Sequence, residues 1–317
     1  MSQFETIRYV IMTVDPVHVG TGGMRLGRVD NSIVREPGTN LPKIPGTALH
    51  GAIRQYAAYR YGKPRCAGQG QSNGSKHCGQ PTCPICYTFG FTKGDNNTEQ
   101  AHSGVVSIGD ARILFFPVYS MAGPVWITSP FVVKDAFPET DTPPIEKGQA
   151  AWNNITEQNH LNLGWLMVKK ADQGWNPPDK LLNGLPEPVK NRIVLLSNEL
   201  FSQVVNSNLE VRTSVSINPE TGAAEEGALF TYEAIPRATF LWFNVVIDDY
   251  RREGFPNTSK KYDEKNEKDN AGDDLGVTWD TSSAVIESGM DWAEHLGIGG
   301  MGTRGFGRIR KIRVFSI

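Results

Sequence analysis

The four cysteines of this chain, Cys66, Cys78, Cys83 and Cys86, all fall within one short loop-rich stretch, with none elsewhere. Disulfides normally staple distant segments, so this clustering favours a local metal site in a reducing cytosol. Four thiolates suit a tetrahedral zinc ion, and a site closed by four sulfurs leaves no position for a reactive water, so its role would be structural. Cys83-Pro84-Ile85-Cys86 forms a compact knuckle. The Cys66 to Cys78 spacing is longer than the usual short pair, which leaves His77 as a substitute for Cys66. A redox pair or incidental buried thiols is the plainer alternative.

A second candidate lies near the C-terminus. Gly297-Ile-Gly299-Gly300-Met-Gly302-Thr-Arg304-Gly305-Phe-Gly307-Arg308 places six glycines within eleven residues, with two arginines interleaved. Such a backbone can approach a ligand closely and present successive N–H groups to an anion. It lacks the Gly-Lys-Ser/Thr ending of a phosphate-binding Walker loop. It also follows a helix and precedes a strand, the reverse of a dinucleotide-binding turn. A simple glycine-rich connection fits the pattern equally well.

A third group is diffuse. His18, Asp30 and Arg35 stand in an N-terminal polar loop, where a lone carboxylate is ordinarily just solvated. His50 and Arg54 are four apart and so share one helical face. That spacing suits phosphate contact but is as common on exposed helices.

The elements that must position these residues follow from periodicity and punctuation. Residues 6–14, 105–108, 111–119, 239–247 and 309–315 read as strands. Residues 48–58 read as a helix with Thr47 near its N-cap, and 282–296 as a second helix feeding the glycine loop. Residues 208–217 and 228–234 flank Asn218-Pro-Glu-Thr-Gly222, a hairpin turn. Residues 134–195 carry helical stretches broken by Pro and Gly. The resulting order, strand, helix, strands, helix, glycine turn, strand, fits an α+β, ferredoxin-like βαββαβ core with large insertions. One domain over 1–317 is expected. It carries a cysteine-rich insertion at 62–104, which needs an internal staple, a hairpin at 205–236 and a mobile charged loop at 251–274.

The formal net charge of −2 excludes a polycation, so any nucleic-acid role must rest on local patches. No apolar run approaches the ~20 residues of a membrane span, and the first residues lack the features of a signal peptide. A cytoplasmic protein without a membrane partner is expected.

In their order, several motifs resemble the RAMP superfamily. They are Pro16-Val-His18-Val-Gly20-Thr-Gly22, Asp30 followed by Ile33-Val-Arg35-Glu36, Ile44-Pro45-Gly46-Thr-Ala-Leu49-His-Gly51-Ala-Ile-Arg54, Cys83-Pro-Ile-Cys86-Tyr-Thr-Phe89-Gly90, Asp110-Ala111-Arg112 and the Gly297–Gly307 loop. Glu210-Val-Arg212-Thr through Gly227-Ala-Leu229-Phe-Thr-Tyr232-Glu233-Ala-Ile-Pro236 looks like the Cmr-type backbone subunit of type III CRISPR effector complexes. The four-cysteine insertion is more typical of Csm-like and type III-D-like backbones, which leaves the subtype open.

This resemblance implies an RRM-like palm with a hairpin thumb and finger-like insertions, stacking in copies of itself as a helical filament along a CRISPR guide RNA beside other effector subunits. The thumb, at 205–236, would wedge into the guide–target duplex. Asp30 would cut target RNA with Mg²⁺ or another divalent metal, assisting a 2′-hydroxyl held in line with its neighbouring phosphate. His18, Tyr232 and Glu233 are auxiliary candidates. His50, Arg54, Gly299, Gly300, Gly302, Arg304, Gly305 and Gly307 would hold the guide backbone, leaving sequence reading to base pairing. Two alternatives stand beside this reading. One is a non-catalytic guide-binding subunit, and the other a stand-alone endoribonuclease that processes repeat RNA without metal.

Overall fold

The computed structural model describes residues 4–22, 29–68, 77–95, 98–249 and 254–317; the side chains of 92–95, 98–100 and 226–228 lie outside that description. Its centre is six elements: β1 (Glu5–Thr13), α1 (Gly46–Arg60), β2 (Ala111–Val118), β3 (Phe240–Ile247), α2 (Ser282–Leu296) and β4 (Ile309–Ser316). The strands lie side by side in the order β4-β1-β3-β2, all antiparallel. That order, with a helix after β1 and after β3, is the ferredoxin-like arrangement. β1 is central because both its edges are paired, Tyr9 opposite Phe243 on one side and Val314 on the other.

Alternation decides which face each side chain takes. Tyr9 stacks on Phe243 at 5.0 Å and donates its hydroxyl to Glu287 of α2 at 2.5 Å, so its face carries the helices. Arg8 points the other way, over the Trp242 ring at 4.6 Å and onto the carbonyl of Ala136 at the end of the short helix Pro130–Ala136. The sheet is therefore covered on both faces, which is why β1 reads as a near-continuous apolar run. On the helical side, Leu49, Ile53 and Ala57 recur every fourth residue and are buried. α1 and α2 cross at Gly289, where a Cβ would come within 2.4 Å of the Ile53 carbonyl.

α1 begins two residues before the expected Ala48, and Thr47 does not cap it. Its first N–H, on Gly46, is taken at 2.7 Å by Asp110 Oδ1, which comes from just before β2. The capping carboxylate is thus supplied by tertiary contact. α2 keeps its expected bounds and a local cap, with Thr281 Oγ1 accepting from Ala284 N at 3.2 Å.

The stretch 134–195, expected to hold helical stretches broken by Pro and Gly, holds the short ones Asp179–Leu182 and Glu187–Lys190, and otherwise extends the sheet. Val125–Thr128 pairs with β2, followed by Ile193–Leu196, Gln149–Ala151, Leu166–Lys170 and His160–Leu163. These strands are three to five residues long, too short to show a period, and the helices between them are single turns. The segment 251–274 is not a free loop over its described part. Thr258–Lys260 and Asp274–Trp279 form a ribbon, and Asp269 accepts from Lys63 Nζ at 2.7 Å and from the Tyr61 hydroxyl at 3.2 Å. Charge here serves docking, where composition alone implied mobility. Residues 251–253 lie outside the described residues.

Candidate nucleic-acid interface and metal centre

Glu210–Ile217 and Ala224–Ala234 form a hairpin that is a two-stranded sheet of its own. A two-stranded sheet leaves outer backbone groups unpaired, and the chain around Asp30 takes up part of that edge. Asn31 N donates to Thr231 O, and Glu233 N donates to Asn31 O, each at 3.0 Å. Asp30 is locked at this seam. Thr231 donates both its main-chain N–H (2.7 Å) and its hydroxyl (3.0 Å) to Oδ2 of Asp30, whose own N–H reaches Thr231 Oγ1 at 3.1 Å. The main-chain bond first, and the hydroxyl second, hold the Asp30 carboxyl below the usual carboxylate range. Among the described residues no hydrogen bond reaches Oδ1. The site therefore presents a fixed, ionised carboxylate with one oxygen open, a geometry that can help hold a divalent cation.

The three auxiliary candidates form a joint beneath this carboxylate. His18 is buried, and its Nδ1 lies 2.6 Å from the Glu233 carbonyl. A carbonyl can only accept, so Nδ1 carries the proton. The carboxylate of Glu233 pairs with Arg35 at 2.8 Å and accepts from Ile33 N at 3.4 Å, while Arg35 also donates to Asn206 Oδ1 at 2.8 Å. The Tyr232 hydroxyl accepts from Ser214 at 3.1 Å, and its ring meets Phe306 edge-on at 5.5 Å. His18 and Glu233 thus fasten the hairpin to the core through their polar groups and Tyr232 through its ring, while the Tyr232 hydroxyl ties the two hairpin strands together.

The same joint includes the glycine loop. Gly300 N donates to His18 O at 2.9 Å, Gly307 N to Pro16 O at 2.9 Å, and the Tyr56 hydroxyl to Gly297 O at 2.6 Å. Ile298, Arg304 and Gly305 also spend their N–H groups within the loop, so a run of successive free donors, expected from composition, is not what the loop offers. Its exposed part is bare backbone at Gly299, Gly300, Gly302 and Gly305 with the Arg304 side chain, whose guanidinium stands over Phe230 at 5.5 Å. Arg308, also exposed, is held by Asp15 at 3.0 Å. Gly299 is required by the fold, since its φ is +86° and a Cβ would lie 2.5 Å from the His18 carbonyl oxygen. Gly302 is not: its φ is ordinary, and the nearest atom to an added Cβ is Leu296 O at 3.9 Å.

The four cysteines are buried and converge, with their sulfur atoms all within 4.8 Å of one another. Sγ separations of 3.6, 3.7 and 3.9 Å for Cys78–Cys86, Cys66–Cys86 and Cys66–Cys83 exclude disulfides. They match the edge of roughly 3.8 Å expected around a tetrahedral ion with metal–sulfur bonds of ~2.3 Å. The donor set fits a metal such as zinc, with all four positions filled by sulfur. Placement favours Cys66 over His77: the four sulfurs converge, while His77 Nε2 lies 3.0 Å from Ala67 O and 3.1 Å from Arg54 Nη2.

The expectation that Arg54 and His50 hold a guide backbone is corrected here. Arg54 is buried, and its guanidinium donates to the carbonyls of Cys66 (2.8 Å) and Phe89 (3.3 Å), as well as approaching His77. Its face of α1 looks into the cysteine insertion, so the guanidinium cannot reach a solvent-side phosphate. His50 meets Phe89 edge-on at 5.2 Å, and burial, aided by the Arg54 charge, pushes its pKa down. A neutral imidazole offers no charge to a phosphate. The residue missed altogether was Thr231, since a threonine in an alternating strand gives no sign that it grips a carboxylate 201 residues away.

Three comparisons with known proteins bear on this arrangement. The chain is 30% identical over 260 residues to the CRISPR system Cmr endoribonuclease Cmr4 of Pyrococcus furiosus, a match spanning 75% of this chain and 80% of that protein. In fold it is similar to a chain of the type III-B Cmr-beta complex bound to cognate target RNA (TM-score 0.61, 15% identity, 97% of each chain). It is also similar to oligomeric Cmr4 from Pyrococcus furiosus (TM-score 0.56, 19% identity, 98% of this chain and 99% of that one). At such identities these structural likenesses concern the fold alone. The sequence signature of the RAMP superfamily extends over residues 10–310, and the chain therefore belongs to the RAMP superfamily.

Proposed function

We propose that this chain is a backbone subunit of a type III CRISPR effector complex that binds guide RNA and cuts complementary target RNA with Asp30. The observation that carries the reading is the clamp of Asp30 on Thr231, which fixes an ionised carboxylate at the root of a protruding hairpin. The hairpin would act as the thumb that distorts the duplex, so that the scissile phosphate is strained beside the carboxylate. Family membership and the endoribonuclease relative support this assignment.

In this reading a divalent metal, when bound, neutralises charge at the phosphate. The chain's own share is positional. Thr231 keeps Asp30 deprotonated and aimed, and the His18–Glu233–Arg35 joint holds thumb to palm. The exposed backbone of Gly302 and Gly305, with Arg304, lies against the guide. The attacking group is the RNA's own 2′-hydroxyl, so no protein nucleophile is needed. Zinc at the four cysteines would staple the insertion and take no part in cleavage. Copies of the chain stacked along one guide would sum modest contacts, which accommodates the near-neutral net charge.

The test is Asp30→Ala in the assembled, guide-loaded complex, with labelled target RNA. Cutting should stop while target binding, followed by gel shift, persists. Unchanged cutting at every position would assign the chemistry elsewhere and leave this chain a guide-binding subunit.

A further inference from the structure

We propose that Arg54 is the fixed counter-cation of the four-cysteine centre, so that metal occupancy there is electrostatically tied to the core helix α1. The inference rests on the cysteines holding a metal. It goes further by assigning a positioning residue whose charge sets how tightly that metal is kept.

A buried guanidinium without a nearby anion is costly, and proteins almost always supply one. Arg54 is only 7% exposed, yet none of its contacts is an anion: they are two main-chain carbonyls and the His77 ring. Among the described residues no carboxylate pairs with it. Lys63 shows the contrast. It is 1% exposed and lies in the same region, but Asp269 neutralises it at 2.7 Å. The anion for Arg54 has to come from the centre itself. Four thiolates around a divalent cation form a dianion. The loaded centre would therefore give the Arg54 charge its complement.

The placement of the three contacts agrees. Cys66, a thiol donor, offers its carbonyl; His77 precedes Cys78; Phe89 ends the short helix Pro84–Phe89 that carries Cys86. Arg54 thus holds the three chain segments that bring the sulfurs together, and the planar fork of a guanidinium can span them in a way an ammonium cannot. Partners outside the metal ligands commonly change metal affinity by ~10–100-fold.

The experiment uses the full chain as wild type, Arg54→Met, Arg54→Gln and Arg54→Lys. It reads metal per chain, the rate of zinc release to a chromophoric chelator, and Tm in the loaded and stripped states. Met and Gln should weaken zinc retention by ~10–100-fold, with Lys lying between them and wild type because it keeps the charge. Unchanged zinc release in Arg54→Met and Arg54→Gln would reduce Arg54 to a packing residue and overturn the inference. If Arg54→Met does not fold, the comparison of Gln with Lys still separates charge from shape. Wild-type protein that binds no metal overturns the underlying metal reading, a result recognisable from metal content alone.

Discussion

Thr231 grips Asp30 with two donors on one carboxylate oxygen, the main-chain N–H at 2.7 Å and the hydroxyl at 3.0 Å, across 201 residues of sequence. The pairing couples the hairpin to the N-terminal loop. Removing the hydroxyl while keeping the side-chain shape, by Thr231→Val, leaves the N–H bond but frees the carboxylate to rotate. Cutting by the assembled complex should fall by up to ~100-fold, the scale of a small displacement of a reacting group. Target binding should not change. A single-turnover assay at saturating target separates the two.

The pH dependence follows from the same contact. The Asp30 carboxyl is depressed below its ordinary value, so the contact's contribution is complete above the unfolded value of ~3.9 and is lost as pH falls through the lower folded value. Acidification from neutral pH to about 5 should therefore not protonate Asp30. An NMR titration of this carboxyl should place it below that of Thr231→Val, and a wild-type carboxyl titrating above the variant's would contradict the clamp. A group held this low is also a weak base at neutral pH, so its part in cleavage is as a charge.

Metal content distinguishes the ligand set. Cys66→Ser, Cys78→Ser, Cys83→Ser and Cys86→Ser should each lower bound zinc per chain and expose the insertion to proteolysis, since binding and folding of such a site are one equilibrium. His77→Ala should keep the metal at wild-type stoichiometry, because its ring nitrogen faces Ala67 and Arg54. Loss of zinc in His77→Ala with retention in Cys66→Ser would reverse the assignment. Elemental analysis after dialysis reads both outcomes.

Two glycines separate fold from contact. Gly299→Ala forces a Cβ against the His18 carbonyl at φ +86° and should cost ~1–3 kcal/mol of stability, seen as a lower Tm. Gly302→Ala meets nothing closer than 3.9 Å and should leave Tm unchanged while weakening guide binding. If Gly302→Ala and Arg304→Ala both bind guide as wild type does, the loop is only a connection.

Much of this architecture was legible before any tertiary contact was known. Alternation at 6–14 and 309–315 and apolar composition at 239–247 located core strands beside the one at 111–119, and the span 282–296 marked α2 to the residue. Asn218 to Gly222 marked the hairpin turn, and the clustering of four cysteines marked thiols whose sulfurs converge. These are local signals, carried by side-chain periodicity, capping and turn chemistry within a few neighbouring residues. The strands of 149–196 escaped because each is too short to show a period and is stabilised by partners far along the chain.

The sequence by itself determined which residues share a face, which segments turn and which cysteines form a group. Only the tertiary structure decided what each face looks at. A spacing of four puts His50 and Arg54 on one side of α1, but whether that side meets solvent or the cysteine insertion depends on where the insertion docks. Likewise, Asp30 in a polar loop has no distinction until the outer edge of the hairpin supplies Thr231. Hydrogen bonds and charges act through space, and the distances that give them their strength are set by topology, which no short window of residues contains.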